Sequence, residues 1–131
     1  MPGHRRKRRP AWMHEHRDWI IYGISPAAKS AFTWKTWVAK MQSAPASIYV
    51  GMTSRSMSTR LREHRKMAAK GSRCPLHSAM ATRKSPWYIF ELATKPGATY
   101  ETAREAEQDI KRRIRALPGA ELLNRLTLQC P

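Results

Sequence analysis

The spacing of apolar and polar positions predicts two strands in the first half of the chain, with a helix between them. Residues 18–24, with the sequence DWIIYGI, form a short apolar run rich in β-branched and aromatic side chains, typical of a buried strand. Residues 48–52, IYVGM, form a second strand. Between them, residues 26–42 carry apolar side chains at helical spacing, preceded by a serine suited to an N-cap and opened by a proline suited to a first turn. The pattern therefore predicts strand, helix, strand over residues 18–52.

The second half of the chain predicts three further helices and a third strand. One helix ends near Lys70 at Gly71, and a shorter helix covers about residues 75–83. Residues 87–92 are hydrophobic on both faces, which indicates a strand that is central in its sheet or covered on both sides. A turn at residues 95–97 leads to Thr99, the expected N-cap of the longest helix, over about residues 100–116. Residues 121–128 are expected to form a last short helix or an irregular cover.

Length and composition predict one domain preceded by a basic arm. The chain has 131 residues, of which 41% are hydrophobic, which suits a single α+β domain. Residues 1–17 have no hydrophobic period and indicate a flexible arm, so the domain covers residues 18–131. We find no apolar run long enough to span a bilayer and no signal-peptide pattern, and we expect no membrane partner. Cys74 and Cys130 lack framework spacing, so we expect free thiols in an intracellular compartment, either bacterial cytoplasm or a eukaryotic nucleus.

The net charge indicates a polyanionic partner. The formal charge is +16, and the arm carries only +5 of it, so the domain itself is strongly basic. Like charges repel within a folded domain, and nucleic acid is the usual partner that offsets this repulsion. We expect the partner to be DNA, either single- or double-stranded, bound by a monomer or a homodimer. The candidate nucleic-acid-binding residues are Arg5, Arg6, Lys7, Arg8, Arg9, Arg55, Arg62, Arg65 and Lys66. Trp12 and Trp87 are candidates for stacking on bases, although packing is the more common role of such residues.

Candidate chemistry is concentrated around the second strand. Tyr49 lies on this strand, Gly51 follows where the backbone must turn, and the next helix carries Arg60 and His64 four residues apart. Residues at this spacing project from one face of a helix. A phenol, a guanidinium and an imidazole close together suggest a site that handles phosphate.

This pattern resembles the second half of the core of the GIY-YIG nucleases. The residues that carry the resemblance are Ile48-Tyr49-Val50-Gly51, then Arg60 eleven residues after the tyrosine, then His64. The resemblance implies a small three-stranded, mainly antiparallel sheet flanked by helices, and hydrolysis of DNA phosphodiester bonds with one Mg²⁺ or Mn²⁺. It covers about residues 19–125.

The resemblance also implies a metal ligand and a structural amide near the C-terminus. Glu107 lies four residues after Ala103, an offset that the family shares for its metal-binding glutamate, and the apolar stripe of the last long helix turns Glu107 toward the core. The alternative role for Glu107 is an ion pair with an arginine, such as Arg60. Asn124 matches the family asparagine, which implies hydrogen bonds that fix site geometry; a capping or turn role is the alternative.

The first family tyrosine has two candidate positions. The family usually places it shortly before the second tyrosine, across a tight hairpin. Tyr22 matches it in Ile20-Ile21-Tyr22 but lies 27 residues before Tyr49, so the helix at about 26–42 would be an insertion, as in some restriction-enzyme members. Alternatively, Trp37 takes this position and one phenol is missing. We favour Tyr22.

The resemblance implies a metal-dependent endonuclease, small enough to suit a phage, a mobile element or a restriction system. Glu107 would hold the metal, Tyr22 or Tyr49 would orient or deprotonate the attacking water, and Arg60 would clamp the phosphate. His64 would relay a proton or bond a tyrosine. A phenol is a poor base at neutral pH, so we expect nearby positive charge to lower a tyrosine pKa. The alternative function is a non-catalytic, basic nucleic-acid-binding protein that keeps this fold.

Overall fold

The elements of the chain alternate between strands and helices. The computed structural model describes residues 10–26, 35, 46–82, 86–117 and 120–124. The described elements are a 3₁₀ turn at Ala11–His14, strands β1 (Arg17–Ser25) and β2 (Ala46–Thr53), helices α1 (Met57–Ala69) and α2 (Pro75–Thr82), strand β3 (Tyr88–Ala98), helix α3 (Tyr100–Arg115) and strand β4 (Ala120–Leu122).

The four strands form one mixed sheet in the order β3-β1-β2-β4. Strand β1 pairs antiparallel with both β2 and β3, whereas β4 pairs parallel with β2. In the β1–β2 ladder Tyr22 lies opposite Gly51, and Ile24 lies opposite Tyr49. Because successive side chains of a strand point to opposite faces, this register puts both tyrosines on the same side of the sheet.

Each face of the sheet has its own hydrophobic cluster. On one face Ile21, Ile48 and Val50 pack against Ile110 and Ile114 of α3. The second cluster, on the opposite face, contains Tyr22, Tyr49, Leu76 of α2 and Trp87, with Met57 and Leu61 of α1 packed against it. The sheet is therefore the middle layer between α3 on one side and α1 with α2 on the other. Both tyrosines belong to the α1 and α2 side.

The helix boundaries follow local signals in the sequence. The Ser56 hydroxyl accepts from the Thr59 amide and caps α1, and the Thr99 hydroxyl accepts from the Thr102 amide and caps α3. Gly71, just after α1, has a φ of +80°, a backbone conformation that glycine adopts without steric cost. The structure confirms the helix predicted to end near Lys70 and the helices predicted near 75–83 and 100–116.

The sheet differs from the prediction at both edges. It has four strands instead of three, because residues 120–122, expected to be helical or irregular, pair with residues 46–48. The third strand is an edge strand, so the predicted central position is wrong. The alternative prediction, a strand covered on both faces, is confirmed, because Phe90 and Trp87 belong to the clusters on opposite faces of the sheet. It also continues through the predicted turn at residues 95–97 to Ala98.

Two further expectations concern segments that are only partly described. Of the helix predicted at about 26–42, the structure describes Pro26 and Lys35, and Lys35 is helical; the remainder, with Trp37, lies outside the described residues. The prediction of free thiols is wrong for Cys74, which is buried and disulfide-bonded. None of the helices within the described ranges combines the length and apolarity needed to cross a membrane.

Candidate functional site

Tyr22 is the centre of a buried hydrogen-bond network. Arg60 donates from Nε to the Tyr22 hydroxyl over 3.1 Å, and the same hydroxyl lies 2.8 Å from His64 Nε2. An arginine nitrogen can only donate, so the Tyr22 oxygen accepts from Arg60, and the same hydroxyl shares a second hydrogen bond with His64 Nε2. Arg60 and His64, predicted to lie on one face of α1, thus both contact Tyr22 of β1.

The network continues through two residues that sequence analysis missed. His64 Nδ1 lies 2.8 Å from His77 Nε2, and His77 Nδ1 lies 2.7 Å from the Ser72 hydroxyl. A neutral imidazole has one donor and one acceptor nitrogen, so the hydrogen bonds of the two histidines all run in one direction along the series between Tyr22 and Ser72. The only signal for this role is a histidine in the short, mostly apolar helix α2, and this signal does not identify its partner.

Both histidines are neutral in the folded protein. Burial, together with the charge of Arg60 and the proximity of His77, lowers the pKa of His64 to about 3. Burial and the charge of Arg60 also lower the pKa of His77. Neutral rings agree with hydrogen bonds that all run in one direction between Tyr22 and Ser72, since a doubly protonated ring would have no acceptor nitrogen. His64 therefore holds Tyr22 as a neutral imidazole.

The expected lowering of the tyrosine pKa values is wrong. Burial raises the pKa of Tyr22 to about 12, and the opposing effect of the Arg60 charge is smaller. Burial, reinforced by Tyr22 and Glu107, also raises the pKa of Tyr49 well above its ordinary value. A low-dielectric environment disfavours the phenolate more than one nearby guanidinium favours it. Both phenols are protonated at neutral pH.

The two tyrosines differ in access to solvent. Tyr22 has no exposed surface, and its hydroxyl contacts Arg60 and His64. Tyr49 is 7% exposed, and its ring centroid lies 5.3 Å from that of His64 in an edge-to-face arrangement. Tyr49 is thus the phenol nearer to solvent.

Gly51 makes room for the Tyr22 side chain. A Cβ atom at position 51 would lie only 2.4 Å from the Tyr22 hydroxyl oxygen and 2.5 Å from its Cζ. No side chain at this position is compatible with the observed tyrosine. The glycine after Tyr49-Val50 is therefore required by close packing across the β1–β2 ladder.

Asn124 holds β2 by its backbone. Its Oδ1 accepts from the Val50 amide and its Nδ2 donates to the Val50 carbonyl, each over 2.8 Å. The Leu123 amide also donates to the Ile48 carbonyl over 2.7 Å. Asn124 thus extends the pairing of β4 past Tyr49, a role that agrees with the expected hydrogen bonding that fixes site geometry.

Glu107 lies apart from this network but within its electrostatic range. Its carboxylate is 13% exposed and forms an ion pair with Lys111, with Oε1 2.5 Å from Nζ. Its charge contributes to the raised pKa values of Tyr22 and Tyr49. The ion-pair partner is a lysine one turn along α3 and not the arginine considered from the sequence.

The surroundings of Glu107 decide how a metal ion would fit. Within the described ranges, no three acidic, histidine or cysteine side chains come together as a ligand group. Mg²⁺ is often bound by one or two carboxylates, with water and phosphate oxygens completing its six ligands. One carboxylate is compatible with such a site, but Lys111 already contacts that carboxylate. A metal ion would therefore compete with the Lys111 ammonium.

The basic candidates on the folded domain are exposed. Arg55, Arg62, Arg65 and Lys66 lie on or just before α1 with exposed side chains, and Arg65 also donates to the Trp87 carbonyl. The arm residues 5–9 lie outside the described part of the chain. Trp87 is buried, whereas Trp12 is exposed.

Comparison of the chain with models of protein families, with curated proteins and with solved structures finds no match. The resemblance to GIY-YIG nucleases therefore depends on the residues and contacts described above.

Proposed function

We propose that the protein is a DNA endonuclease of GIY-YIG type that hydrolyses phosphodiester bonds with one divalent metal ion. The observation that supports this proposal best is the contact of Arg60 and His64 with Tyr22. Tyr22, 38 residues before Arg60, forms one hydrogen-bonded group with Arg60 and His64, which lie four residues apart on one helix. Tyr49 packs against the same histidine.

Arg60 is the residue best suited to bind the scissile phosphate. Its side chain is 20% exposed, while Tyr22 fixes its Nε and Glu63 accepts from its Nη1. Because these contacts hold the guanidinium in place, less entropy is lost when a phosphate replaces the Glu63 carboxylate. Tyr22, His64, His77 and Ser72 then act as positioning residues for Arg60.

Tyr49 orients the attacking water as a neutral hydrogen-bonding group. Its raised pKa makes it a poor general base at neutral pH. A Mg²⁺ or Mn²⁺ ion held by Glu107 would lower the pKa of bound water and offset charge on the phosphate. Of the two roles expected for a tyrosine from the sequence, orienting or deprotonating the water, this proposal keeps the first.

Cleavage of supercoiled plasmid and of single-stranded DNA, in Mg²⁺ or in EDTA, tests the proposal. We expect Glu107→Ala and Tyr49→Phe to lower the cleavage rate by about a hundredfold or more. Glu105→Ala is the matched control, because it removes an exposed carboxylate from the same helix, and it should cut like wild type. Equal cutting by Glu107→Ala and Glu105→Ala would contradict the assignment of Glu107.

A second candidate function is DNA binding without cleavage. The Glu107–Lys111 ion pair favours it, because Lys111 already contacts the carboxylate that the proposed metal ion needs. In this case the protein binds DNA tightly but cuts neither substrate with any divalent metal, and Glu107→Ala leaves the affinity unchanged.

A further inference from the structure

A groove of about 430 Å³ opens beside Arg60, on the surface of the domain. Its walls come from the 3₁₀ turn and β1 on one side and from the segment between β2 and α1 on the other. The residues that line it and carry the argument are Trp12, Arg17, Thr53, Arg55, Arg60 and Glu63. Because Arg60 lines the groove and also bonds Tyr22, the groove is continuous with the proposed phosphate site.

The charge of the groove suits an anion. Arg17, Arg55 and Arg60 contribute three guanidinium groups to its walls. Glu63 lies 3.6 Å from Arg55 and 3.3 Å from Arg60, and Glu15 pairs with Arg17 outside the groove. Arg55 is 72% exposed and Arg17 is 37% exposed, and ion pairs of exposed groups contribute little stability. A phosphate can therefore replace these carboxylates at small cost.

The aromatic side chain of the groove is both exposed and held in place. Trp12 is the one large hydrophobic residue that the described part of the chain exposes, at 36%. The Tyr100 ring lies perpendicular to it with centroids 5.3 Å apart, and Arg17 Cζ lies 5.9 Å from its ring centroid. A tryptophan fixed in this way loses little conformational entropy when a flat ring stacks on it.

The size of the groove selects the kind of nucleic acid. Its volume lies in the lower part of the range of pockets for small molecules, roughly 300–1,000 Å³, which suits one nucleotide and is too small for a double helix. In a duplex the base faces are stacked on each other, so they are not available to a protein side chain. Only an unpaired base can reach Trp12.

We infer that this groove binds an unpaired nucleotide of a DNA strand, next to the phosphate held by Arg60, with its base stacked on Trp12. The neighbouring phosphates of the strand contact Arg17 and Arg55. The substrate class of the site is then single-stranded DNA, or a duplex with an unpaired or displaced strand. This inference rests on the proposed phosphate site at Arg60.

The test compares the binding of two labelled single strands by fluorescence anisotropy in EDTA, where cleavage does not interfere. One strand carries bases and the other is the same sugar–phosphate chain with abasic sites. Stacking of one base contributes ~1–3 kcal/mol, so wild type should bind the base-bearing strand at least about fivefold more tightly. Trp12→Ala should abolish this preference and leave the affinity for the abasic strand within about twofold.

Two further variants serve as controls. Trp12→Phe keeps an aromatic ring and should retain part of the preference, whereas Arg55→Ala should weaken binding of both strands by the same factor. Equal affinity of wild type for the two strands would overturn the inference without any variant. An equal loss on both strands in Trp12→Ala would also overturn it.

The outcome is independent of cleavage. A protein that prefers the base-bearing strand but cuts no DNA would keep the groove assignment and contradict the nuclease. A protein that cuts DNA but binds both strands equally would keep the nuclease assignment and contradict the groove assignment.

Discussion

At the residue scale, Gly51 is required because the Tyr22 side chain of β1 packs directly against it. Gly51 faces the Tyr22 hydroxyl across the ladder, and Gly23 faces Ile48 and Phe90 in the opposite cluster. A methyl group at either position meets atoms closer than ordinary van der Waals contact. The two glycines therefore allow the site and the core to be perturbed separately.

We expect Gly51→Ala to displace the Tyr22 hydroxyl and separate it from Arg60. The variant should lose ~1–3 kcal/mol of stability through overpacking and at least about tenfold in affinity for a DNA strand. Urea unfolding and anisotropy measure the two effects. Gly23→Ala is the control, because it should lose comparable stability while keeping the DNA affinity of wild type. Equal loss of DNA affinity in both variants would show that the site depends on general stability and not on Tyr22.

His77 illustrates a limit of sequence reading at this scale. Arg60 and His64 could be paired from their helical spacing, but His77 meets His64 only because α2 packs beside α1. A lone histidine in a short apolar helix gives no indication of which element it will face. Ser72, in the loop between these helices, was missed for the same reason.

At the element scale, α3 carries the Glu107–Lys111 pair one turn apart on its inward face. The stripe of apolar residues correctly predicted that Glu107 turns inward. A carboxylate in that position needs a positive partner, and Lys111 is that partner. Lys111 was not considered from the sequence, although a glutamate and a lysine four residues apart on a helix have the spacing of an ion pair.

We expect Lys111→Met to make the protein respond more strongly to divalent metal. Removing the ammonium leaves Glu107 half-buried without its partner, so the Tm in EDTA should fall. Mn²⁺ should then restore it, because a ligand that binds only the folded state stabilises it. Differential scanning fluorimetry over a Mn²⁺ titration measures this shift without any cleavage readout.

The controls for this prediction lie on the same helix. The double variant Lys111→Met with Glu107→Gln should lose the response to Mn²⁺, and Arg112→Met, which removes an exposed cation, should behave like wild type. An identical Mn²⁺ response in wild type and Lys111→Met would show that the lysine and the metal do not compete for Glu107.

At the scale of the whole molecule, the buried histidines make stability depend on pH. His64 has a pKa of about 3 in the folded protein and an ordinary value near 6.5 when unfolded. Below pH 6.5 the unfolded chain therefore binds more protons than the folded one, and the free energy of unfolding decreases as the pH is lowered. The stabilising contribution is fully present above pH 6.5 and is lost progressively toward pH 3.

We expect the protein to be roughly 1–2 kcal/mol less stable at pH 5 than at pH 7.5, as measured by urea unfolding at several pH values. His64→Gln should flatten this dependence. His14→Gln, at an exposed histidine, should keep the wild-type slope. A His64→Gln slope equal to that of wild type would assign the pH dependence to other groups.

Much of the fold could be predicted because its signals are local. Helical periodicity, Thr99 as a cap, and the apolar strand runs each lie within a few neighbouring residues. The structure confirms the elements that they predict, apart from the helix at about 26–42, which lies mostly outside the described residues. Strand order and β4 could not be predicted, because three residues carry no period of their own. Their strand conformation depends on pairing with β2 across 74 positions of the chain.

The same long-range pairing has a consequence for the newly made chain. A ribosome releases residues in order, so Tyr22, Tyr49, Arg60 and His64 emerge well before β4 and Asn124. Until Asn124 has emerged, the Val50 amide and carbonyl lack the partner that aligns β2 beside Tyr49. A partly synthesised chain therefore has the side chains of the proposed site but not their fixed arrangement. The proposed DNA cleavage would begin in the cell only after the chain has been made through Asn124.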